Sequence, residues 1–301
     1  MNQATSHIMM VRPKHFGYDP ETAESNAFQV KDGADQKNSI ANSAIEEFDA
    51  AVIKLQDKGV KVTVIEDTDQ PVKPNAVFPN NWISFHEDKV ILYPMMAENR
   101  RWERRTDLLE AVADENQVER VIDLSGQEAE NKFLESTGSI IFDYENRLAY
   151  ACLSPRTDEG LFRELCDILN YEPIIFHARD ENGQLIYHTN VMMCMASKYA
   201  VVCLDCIDEE ERDDVKATIE STGHELIEIG LDQVHQFAGN MLEVEGAGGQ
   251  SFMVMSKAAF DSLDNDQINQ IRQYSEIVSV PIPTIEKYGG GSIRCMMCRV
   301  R

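Results

Sequence analysis

The sequence predicts an α/β fold in which five ββαβ units close into a five-bladed, propeller-like ring around a central cavity. A unit of two strands, a helix and a third strand recurs along the chain. Successive hairpins of this unit start at Asn81, Gly138, Asn190 and Asn240, with steps of 57, 52 and 50 residues. A fixed period of about 50 residues is typical of stacked or radial repeats. The alternative is an α/β sandwich whose hairpins share this spacing by coincidence.

The unit that follows His188 shows the pattern most clearly. Two apolar runs at residues 191–195 and 200–204 predict a hairpin, and residues 225–229 predict the third strand. Between them, residues 208–211 are acidic, which is favourable at the N-terminus of a helix. The order strand, strand, helix and strand is therefore predicted here from local signals alone.

The repeat divides a single domain, residues 1–301, into five units. The first unit is the least regular, because its strand at residues 8–11 is followed by a long insertion before a helix at 39–58 and a strand at 60–65. The predicted units are about 1–70, 71–125, 126–180, 181–232 and 233–301.

Composition indicates an acidic globular protein. Of the 301 residues, 43% are hydrophobic, 28 are Lys or Arg and 52 are Asp or Glu, which gives a net charge of −24. A chain of this charge repels phosphate backbones and anionic lipids, so we expect neither nucleic acid nor membrane as a partner. No run of 18 apolar residues occurs, which also argues against a membrane span.

The first residues of the sequence and its cysteines indicate in which cellular compartment the protein is expected. Residues 1–7 lack a basic segment followed by an apolar one, so we expect no secretory signal. Seven cysteines are an odd number in a chain too long to need disulfides for stability. We therefore expect reduced thiols and a cytoplasmic location.

The C-terminal stretch carries the candidate nucleophile. Three consecutive glycines, Gly289 to Gly291, precede Ser292-Ile293-Arg294-Cys295. Glycines allow a backbone to turn sharply and to approach a ligand closely. A neighbouring cation and backbone N–H groups favour the thiolate form of Cys295, which is the reactive one. The alternative is a flexible tail with a buried cysteine.

Two candidate partners for proton transfer with Cys295 lie at other hairpin starts. His188 precedes the hairpin that starts at Asn190, and Glu135 precedes the one that starts at Gly138. Corresponding edges of the units converge on the axis of a ring, so we expect the three side chains to meet there. The alternatives are an ordinary loop histidine and a solvated glutamate.

Two Cys-x-x-Cys pairs also fit a zinc site in principle. They are Cys203 with Cys206 and Cys295 with Cys298. Four thiolates suit tetrahedral zinc. However, Cys203 lies within an apolar strand, where successive side chains point to opposite faces, and neither pair encloses a glycine. We therefore predict no metal, and we interpret Cys152, Cys166 and Cys194 as core residues.

These motifs, in this order, resemble the pentein or guanidine-modifying enzyme superfamily. Its members include arginine deiminases, dimethylarginine dimethylaminohydrolases and arginine:glycine amidinotransferases. The resemblance covers nearly the whole chain and is nearest to the amidinotransferase-like branch that contains bacterial citrulline ureidases. The segments that carry it are residues 78–82 (Phe-Pro-Asn-Asn-Trp), 134–139 (Leu-Glu-Ser-Thr-Gly-Ser), 187–190 (Tyr-His-Thr-Asn) and 289–295 (Gly-Gly-Gly-Ser-Ile-Arg-Cys).

The resemblance implies a five-unit propeller with a central site and no cofactor. Cys295 matches the nucleophile, His188 the general acid and base, and Glu135 the carboxylate that orients the reacting group. Asn81 and Asn190 match positions where deiminases of the superfamily usually carry aspartates that bind the guanidinium.

The two asparagines favour a ureido substrate over a guanidino one. A guanidinium is a cation with N–H donors only, so carboxylates complement it. A ureido group is neutral and also carries a carbonyl acceptor, which suits a carboxamide. Asn81 and Asn190 therefore favour citrulline, although asparagine is also a common turn residue.

We thus expect a cysteine-dependent hydrolase that converts citrulline into ornithine, carbon dioxide and ammonia through an S-linked intermediate. The alternatives are an arginine deiminase, a dimethylarginine hydrolase or an amidinotransferase, and more remotely a non-catalytic binding protein of the same fold. Asn240 is a weaker candidate for substrate contact. For the α-carboxylate we predict Arg12, with Arg156 and Arg294 as competitors. Residues 17–38 are the candidate lid, and a homo-oligomer is left open.

Overall fold

A computed structural model of the protein describes residues 1–23, 25–26, 28–31, 37–105 and 118–300. Its strands are β1 (His7–Arg12), β2 (Lys61–Glu66), β3 (Ile83–His86), β4 (Lys89–Leu92), β5 (Arg120–Asp123), β6 (Ile141–Asp143), β7 (Leu148–Cys152), β8 (Glu172–Phe176), β9 (Met193–Met195), β10 (Tyr199–Val202), β11 (Glu225–Glu228), β12 (Leu242–Glu245), β13 (Ser251–Ser256), β14 (Glu276–Val280) and β15 (Cys298–Val300).

Its helices connect these strands or lie at their ends. They are α1 (Pro20–Ala23), α2 (Lys37–Asp57), α3 (Glu98–Arg101), α4 (Ser136–Ser139), α5 (Glu159–Leu169), α6 (Glu209–Ser221), α7 (Leu231–Val234), α8 (Lys257–Ser262), α9 (Asn265–Arg272), α10 (Pro283–Gly289) and α11 (Ile293–Met296).

The strands form five separate three-stranded sheets, one for each predicted unit. In the fourth sheet β9 pairs antiparallel with β10, and β11 pairs parallel with β10 after the crossover through α6. The second, third and fifth sheets have the same pairing. A parallel pair requires a crossover, whereas an antiparallel pair needs only a turn, so each sheet is one ββαβ blade. The predicted fold class is therefore confirmed.

The first sheet is completed from the other end of the chain. β1 pairs parallel with β2, and its other edge pairs antiparallel with β15, so that His7 faces Val300. The sequence analysis assigned no strand to the last residues. Three residues are too few for a periodic signal, and their partner is distant in sequence. The last strand of the fifth predicted unit thus belongs to the first sheet and closes the ring.

The crossover helices cover the outer sides of the sheets. In α5 the side chain of Asp158 caps the first turn by accepting a hydrogen bond from the amide of Leu161. Leu161, Phe162 and Leu165 are buried on one face of this helix. Each such side chain contributes about 1.5–3 kcal/mol when fully buried. An amphipathic helix of this kind fixes its blade and leaves the inner edge free to build the axis.

The hairpin starts meet at the axis, where hydrogen bonds join them in sequence. The hydroxyl of Thr137 donates to the carbonyl of Asn80 (3.1 Å), and Asn190 Nδ2 donates to the carbonyl of Thr137 (3.2 Å). Asn240 Nδ2 donates to the carbonyl of Asn190 (2.9 Å), and the amide of Arg294 donates to Asn240 Oδ1 (3.1 Å). We call these four hydrogen bonds the girdle. The girdle holds neighbouring blades in a fixed relation around the centre.

Two expectations from the sequence concern membrane spans and the state of the thiols. None of the helices in the described ranges has the length and apolarity that crossing a membrane requires. All seven cysteines carry free thiols and are buried.

Candidate active site

A narrow cavity opens on one side of the girdle and is lined by two of the three predicted catalytic residues, Cys295 and His188. Its free volume is about 20 Å³, which holds a water molecule but no amino acid. Cys295, His188 and Asn81 line it together with the glycine run. The other lining residues are Thr22, Asn26, Gln29, Asn75, Phe78, Arg100, Arg156 and Tyr187.

Cys295 lies in α11 directly after the glycine run, and its thiol faces carboxamide donors. Its Sγ lies 3.3 Å from Asn240 Nδ2 and 3.6 Å from Asn190 Nδ2. N–H donors of this kind stabilise a sulfur anion. Because the girdle fixes the amide of the preceding Arg294, this segment is part of the packed axis rather than a flexible tail.

The glycine run is required by close packing and by one backbone conformation. Gly290 has φ of 62°, in the left-handed region that glycine adopts without strain. A Cβ on Gly289 would lie 2.8 Å from the ring of Phe78, which is closer than real contacts allow. The hydroxyl of Tyr187 donates to the carbonyl of Gly290 (2.8 Å). These contacts place the cysteine turn against the blade that carries His188.

His188 and Glu135 form a buried pair. His188 Nε2 lies 2.8 Å from Glu135 Oε2. Burial lowers the pKa of His188 to about 4, although the hydrogen bond and charge of Glu135 act in the opposite direction. Burial also opposes ionisation of Glu135, but Arg156, His188 and Arg100 together hold its pKa below the usual range. At neutral pH the pair is a carboxylate and a neutral imidazole, whose Nδ1 remains available for a proton.

Gly138 explains how the imidazole and an amide can converge. A Cβ at this position would lie 2.3 Å from Asn81 Nδ2 and 2.8 Å from His188 Nδ1. Any other residue would displace both groups. The glycine of the Ser-Thr-Gly segment is thus a packing requirement of the site.

Glu135 is fully buried and lies behind His188, outside the cavity lining. Its Oε1 accepts a hydrogen bond from the amide of Met96 (3.1 Å), and its Oε2 binds His188 and lies 3.5 Å from Arg156 NH1. The sequence analysis expected this carboxylate to hold the reacting group. In the structure it orients the imidazole and stabilises positive charge on it.

The carboxamides of Asn81 and Asn190 are held in opposite orientations. Arg100 NH1 donates to Asn81 Oδ1 (3.1 Å), which leaves Asn81 Nδ2 buried without a partner. Asn190 Nδ2 donates to the carbonyl of Thr137, which leaves Asn190 Oδ1 buried without a partner. A guanidinium only donates and a carbonyl only accepts, so chemistry fixes both orientations. Among the described residues, Asn81 therefore presents a free N–H donor to the cavity, whereas Asn190 holds a free carbonyl oxygen next to Cys295 but outside the cavity lining.

Arg100 is itself fixed by a buried carboxylate that the sequence analysis did not single out. Its Nε and NH2 lie 2.9 and 2.8 Å from the two oxygens of Glu103. Burial would lower the pKa of Arg100, but Glu103 raises it above the usual range. The guanidinium is thus permanently charged and permanently placed. No sequence signal marks Arg100 or Glu103, because both lie outside the repeated hairpin starts.

Arg12 does not reach the cavity. Its guanidinium binds Asp49 (2.7 Å) and lies 3.6 Å from Glu66, at the end of β1. Two carboxylates already satisfy its charge, so it is not kept as the α-carboxylate ligand. Arg294 lines a different cavity behind the girdle. Of the three predicted arginines, the structure brings only Arg156 to the cavity.

Asn240 lies at the site but has no free polar atom. Its Nδ2 donates to the carbonyl of Asn190 and to Cys295 Sγ, and its Oδ1 accepts the amide of Arg294. Asn240 therefore fixes the turn that carries Cys295.

The segment predicted as a lid covers the cavity. Asn26 Nδ2 donates to the carbonyl of Gly290 (3.1 Å), and Gln29 Nε2 donates to that of Gly289 (3.1 Å). Arg156 NH2 donates to the carbonyl of Thr22 (3.0 Å). Residues 24, 27 and 32–36 of the predicted lid lie outside the described residues. Because the covered cavity is too small for an amino acid, the contacts of this segment must break for a substrate to enter.

The two Cys-x-x-Cys pairs do not come together as a metal cluster. Within the described part of the chain, the group with suitable ligand spacing is His177, Asp208 and Glu211, away from the cavity. Burial raises the pKa of Cys298 to about 12.

Five ββαβ blades with a thiol, an imidazole and a carboxylate at the axis define a member of the pentein, or guanidine-modifying, superfamily. The predicted superfamily is thereby confirmed. Residues 12–301 match the model of the family described as N,N dimethylarginine dimethylhydrolase, eukaryotic, and the chain belongs to this family.

Three solved structures illustrate the similarity in fold. The N-terminal domain of ArgZ, an arginine dihydrolase from cyanobacteria, is 17% identical, with 98% of this chain and 97% of that domain covered and a TM-score of 0.76. Unliganded AgrE is 18% identical, with 98% and 39% covered and a TM-score of 0.77. A dimethylarginine dimethylaminohydrolase is 16% identical, with 97% and 98% covered and a TM-score of 0.65.

At these identities the structural similarity shows the fold alone. The chain spans about 40% of the full-length ArgZ chain. No curated protein matches the chain significantly in sequence.

Proposed function

We propose that the protein hydrolyses the ureido group of L-citrulline to give ornithine, carbon dioxide and ammonia. The observation that carries this proposal is the pair of fixed carboxamides at Cys295. Asn81 offers a free N–H in the cavity lining, which suits the ureido carbonyl. Asn190 lies next to Cys295, outside the lining of the covered cavity, and holds a free carbonyl that suits the ureido N–H groups.

The charges around the cavity support a neutral reacting group. Among the described residues that line the cavity, none is a carboxylate. Glu135 and Glu103 lie behind this lining, and both are already engaged by arginines and by His188. Among the described lining residues, a guanidinium would therefore find no acidic partner to offset its desolvation cost. A ureido group carries no charge and avoids that cost.

The proposed chemistry begins with attack of the Cys295 sulfur on the ureido carbon. The thiol proton passes to His188 Nδ1, and the new imidazolium is stabilised by Glu135. His188 then protonates the nitrogen that leaves, as ammonia or as the ornithine amine, when the carbon–nitrogen bond breaks. The carbonyl carbon remains bonded to sulfur.

A water molecule completes the reaction. His188 removes its proton, the water oxygen bonds to the carbonyl carbon, and the carbon–sulfur bond breaks to restore the thiol. The released carbamate decomposes into carbon dioxide and the second amine. The free N–H of Asn81 is the donor that stabilises negative charge on the ureido oxygen during both steps.

Arg156 is the proposed ligand of the substrate α-carboxylate. It lines the cavity, is buried, and already binds the covering segment through Thr22 and Ser25. A carboxylate that replaces these two contacts would form a stronger, charge-assisted pair. Substrate binding and opening of the covering segment would then be coupled at one side chain.

A guanidino substrate is the second candidate, because the matching family is described by dimethylarginine and ArgZ is an arginine dihydrolase. Another structure of the ArgZ domain is covalently bonded to a reaction intermediate, which supports a covalent route on this fold. Deiminase and amidinotransferase activities belong to the same candidate class. A non-catalytic binding protein is disfavoured, because binding alone would not require Cys295, His188 and Glu135 together.

The test is a substrate panel of L-citrulline, L-arginine and dimethylarginine, with ornithine, citrulline, dimethylamine and ammonia measured. We expect ornithine and ammonia from citrulline, with kcat/KM at least tenfold above that for arginine, as expected for one lost hydrogen bond of ~1.4 kcal/mol. Release of citrulline or dimethylamine as the main product would assign the guanidino class instead. If all three compounds remain unchanged after prolonged incubation, the protein would instead be assigned as a non-catalytic binding protein.

A further inference from the structure

A second cavity lies behind the girdle, on the opposite side from Cys295. Its free volume is about 30 Å³, and Thr137 and Arg294 form its wall on the girdle side. Most of the remaining wall is apolar, with Phe142 and Met241 as examples, but Arg299 also lines it. Two guanidinium groups therefore face one small, mostly apolar space.

Neither guanidinium has an acidic partner among the described residues. Arg294 NH1 donates to the carbonyl of Met297 (3.0 Å). Arg299 donates to the carbonyls of Gln3 (2.6 Å) and Asn2 (2.7 Å), and its Nε is buried without a partner. Its guanidinium also stacks on the ring of Tyr144, with 4.1 Å to the ring centroid.

Carboxylates lie near the outer end of Arg299, but they do not pair with it. Glu87, Asp88 and Glu119 line the open groove that Arg299 shares with the first residues of the chain. None of them forms an ion pair with it. Burial lowers the pKa of Arg299, and the charge of Arg294 acts in the same direction. The two cations thus repel each other in a medium that screens charge poorly.

Buried arginine does not escape this cost by losing its proton, because its pKa is too high. The remaining way to neutralise the buried Arg294 and the partly buried Arg299 is a counter-ion, and the described residues supply none here. We propose that the rear cavity binds a small monovalent anion, of the size of chloride or bicarbonate, between Arg294 and Arg299.

The dimensions of the cavity limit the anion to a small one. A volume of about 30 Å³ accommodates one or two waters, or a halide in their place. The side chain of Gln3 closes the outer end, since its Nε2 donates to the carbonyls of Phe142 and Met195 (3.0 Å each). A bulky organic anion cannot enter, which provides a control.

The proposed site adjoins the catalytic turn through the backbone. Arg294 directly precedes Cys295, and its amide is the last donor of the girdle. An anion bound to its side chain would hold this turn from behind. The proposal does not depend on the substrate, although bicarbonate is also a form of the carbon dioxide that citrulline hydrolysis would release.

The first test measures the melting temperature of the purified protein in sodium chloride, sodium bicarbonate and sodium gluconate at equal ionic strength. A ligand that binds only the folded state raises stability with the logarithm of its concentration. We expect a rise of about 2–4 °C at roughly ten times the Kd in chloride or bicarbonate, and no such rise in gluconate. The more effective salt identifies the anion. Equal curves in all three salts would overturn the proposal.

Arginine variants test whether the anion acts at this cavity. Arg299→Met should remove the anion-dependent rise. Arg147→Met is the matched control, because Arg147 also stacks on a tyrosine but is half-exposed and paired with Glu87. An Arg299→Met variant that keeps the wild-type response would refute the site.

A direct measurement remains decisive even when Arg299→Met fails to fold. Crystals of the wild-type protein grown in sodium bromide should show an anomalous peak within hydrogen-bond distance of Arg294 and Arg299. A rear cavity without a bromide peak, in crystals grown at a concentration that saturates the thermal response, would contradict the proposal.

Discussion

Cys295 and Cys298 lie three residues apart and are both buried, yet they belong to different regions of the molecule. Cys295 lies at the axis, where two carboxamide nitrogens approach its sulfur within 3.6 Å. Cys298 lies in β15, where the carbonyl oxygen of Ile83, at 3.5 Å, is the nearest polar neighbour of its sulfur. Donors stabilise a sulfur anion, whereas carbonyl acceptors and apolar surroundings stabilise the thiol.

This difference shows that burial alone does not decide what a cysteine does. Both thiols come from one Cys-x-x-Cys segment, and the helical turn between them separates an axis position from a strand position. The axis supplies unpaired polar atoms and a proton acceptor, while the strand supplies a packed apolar wall. Five variants test this contrast.

Replacing the axis thiol should have the largest effect. Cys295→Ala removes the nucleophile, and we expect kcat to fall by about 10⁴-fold or more, as for other nucleophiles that act in a unit. The melting temperature should change little. Mass spectrometry of the wild-type protein, quenched during turnover, should show a substrate-derived adduct on Cys295. Turnover by the alanine variant would exclude the covalent route.

The histidine of the axis should have the second largest effect. His188→Gln keeps a polar side chain but removes the proton acceptor, and we expect kcat to fall about 10²–10⁴-fold. In the wild type the acid limb of the kcat/KM profile should lie near pH 4 rather than near 6.5, because burial lowers the pKa of His188 and the neutral form is required. An acid limb near 6.5 would contradict the neutral buried pair.

Charging the two carboxamides should change the preferred substrate. In Asn81→Asp/Asn190→Asp, two carboxylates replace a neutral donor and acceptor, which suits a guanidinium. We expect the ratio of kcat/KM for arginine to that for citrulline to rise about 100-fold, from two charge-assisted hydrogen bonds. The same panel measures it. A constant ratio would remove the polarity argument.

Replacing Arg100 and Glu103, which fix the amide of Asn81, should shift the substrate preference in the same direction but by less. In Arg100→Met/Glu103→Met the amide of Asn81 can rotate, so the preference for citrulline over arginine should fall about tenfold, the value of one hydrogen bond. Both partners are replaced, because one alone would leave a buried charge unpaired. Glu103→Gln separates orientation from charge: it keeps a hydrogen-bond acceptor for Arg100 and should keep the ratio, but it removes the paired charge and should lower the free energy of unfolding.

The strand thiol should have the smallest effect. Cys298→Ala leaves a small cavity behind β15, and we expect a loss of about 1 kcal/mol in the free energy of unfolding, with kcat unchanged. Denaturant unfolding and steady-state assays measure the two. A fall in kcat comparable to that of Cys295→Ala would show that the two regions are not distinct.

The sequence could predict the blades because each carries its own local signals. The period of about 50 residues locates the hairpin starts at Asn81, Gly138, Asn190 and Asn240, and a ring requires that such starts meet. The periodicity, together with the family resemblance, therefore predicts that Cys295, His188 and Asn190 lie close together. β15 could not be predicted, because three residues carry no period.

The remainder of the site depends on contacts between distant segments. Arg100 and Glu103 matter only because they lie next to Asn81, and Glu135 turns away from the cavity because the amide of Met96 and the imidazole of His188 hold it. Arg12 was the natural choice at a strand end, but Asp49 in α2 binds it first. Such competition between partners is not encoded in any short motif.

The closing strand has a consequence for the order in which the site is assembled. Cys295 lies three residues before β15, whose partner β1 starts at His7, so the turn that carries this thiol is held on that side only when the first and last segments of the ring meet. Contacts of such long sequence separation form slowly. Until β15 pairs with β1 the ring would therefore remain open, and the contacts with Asn190 and Asn240 alone would hold the turn.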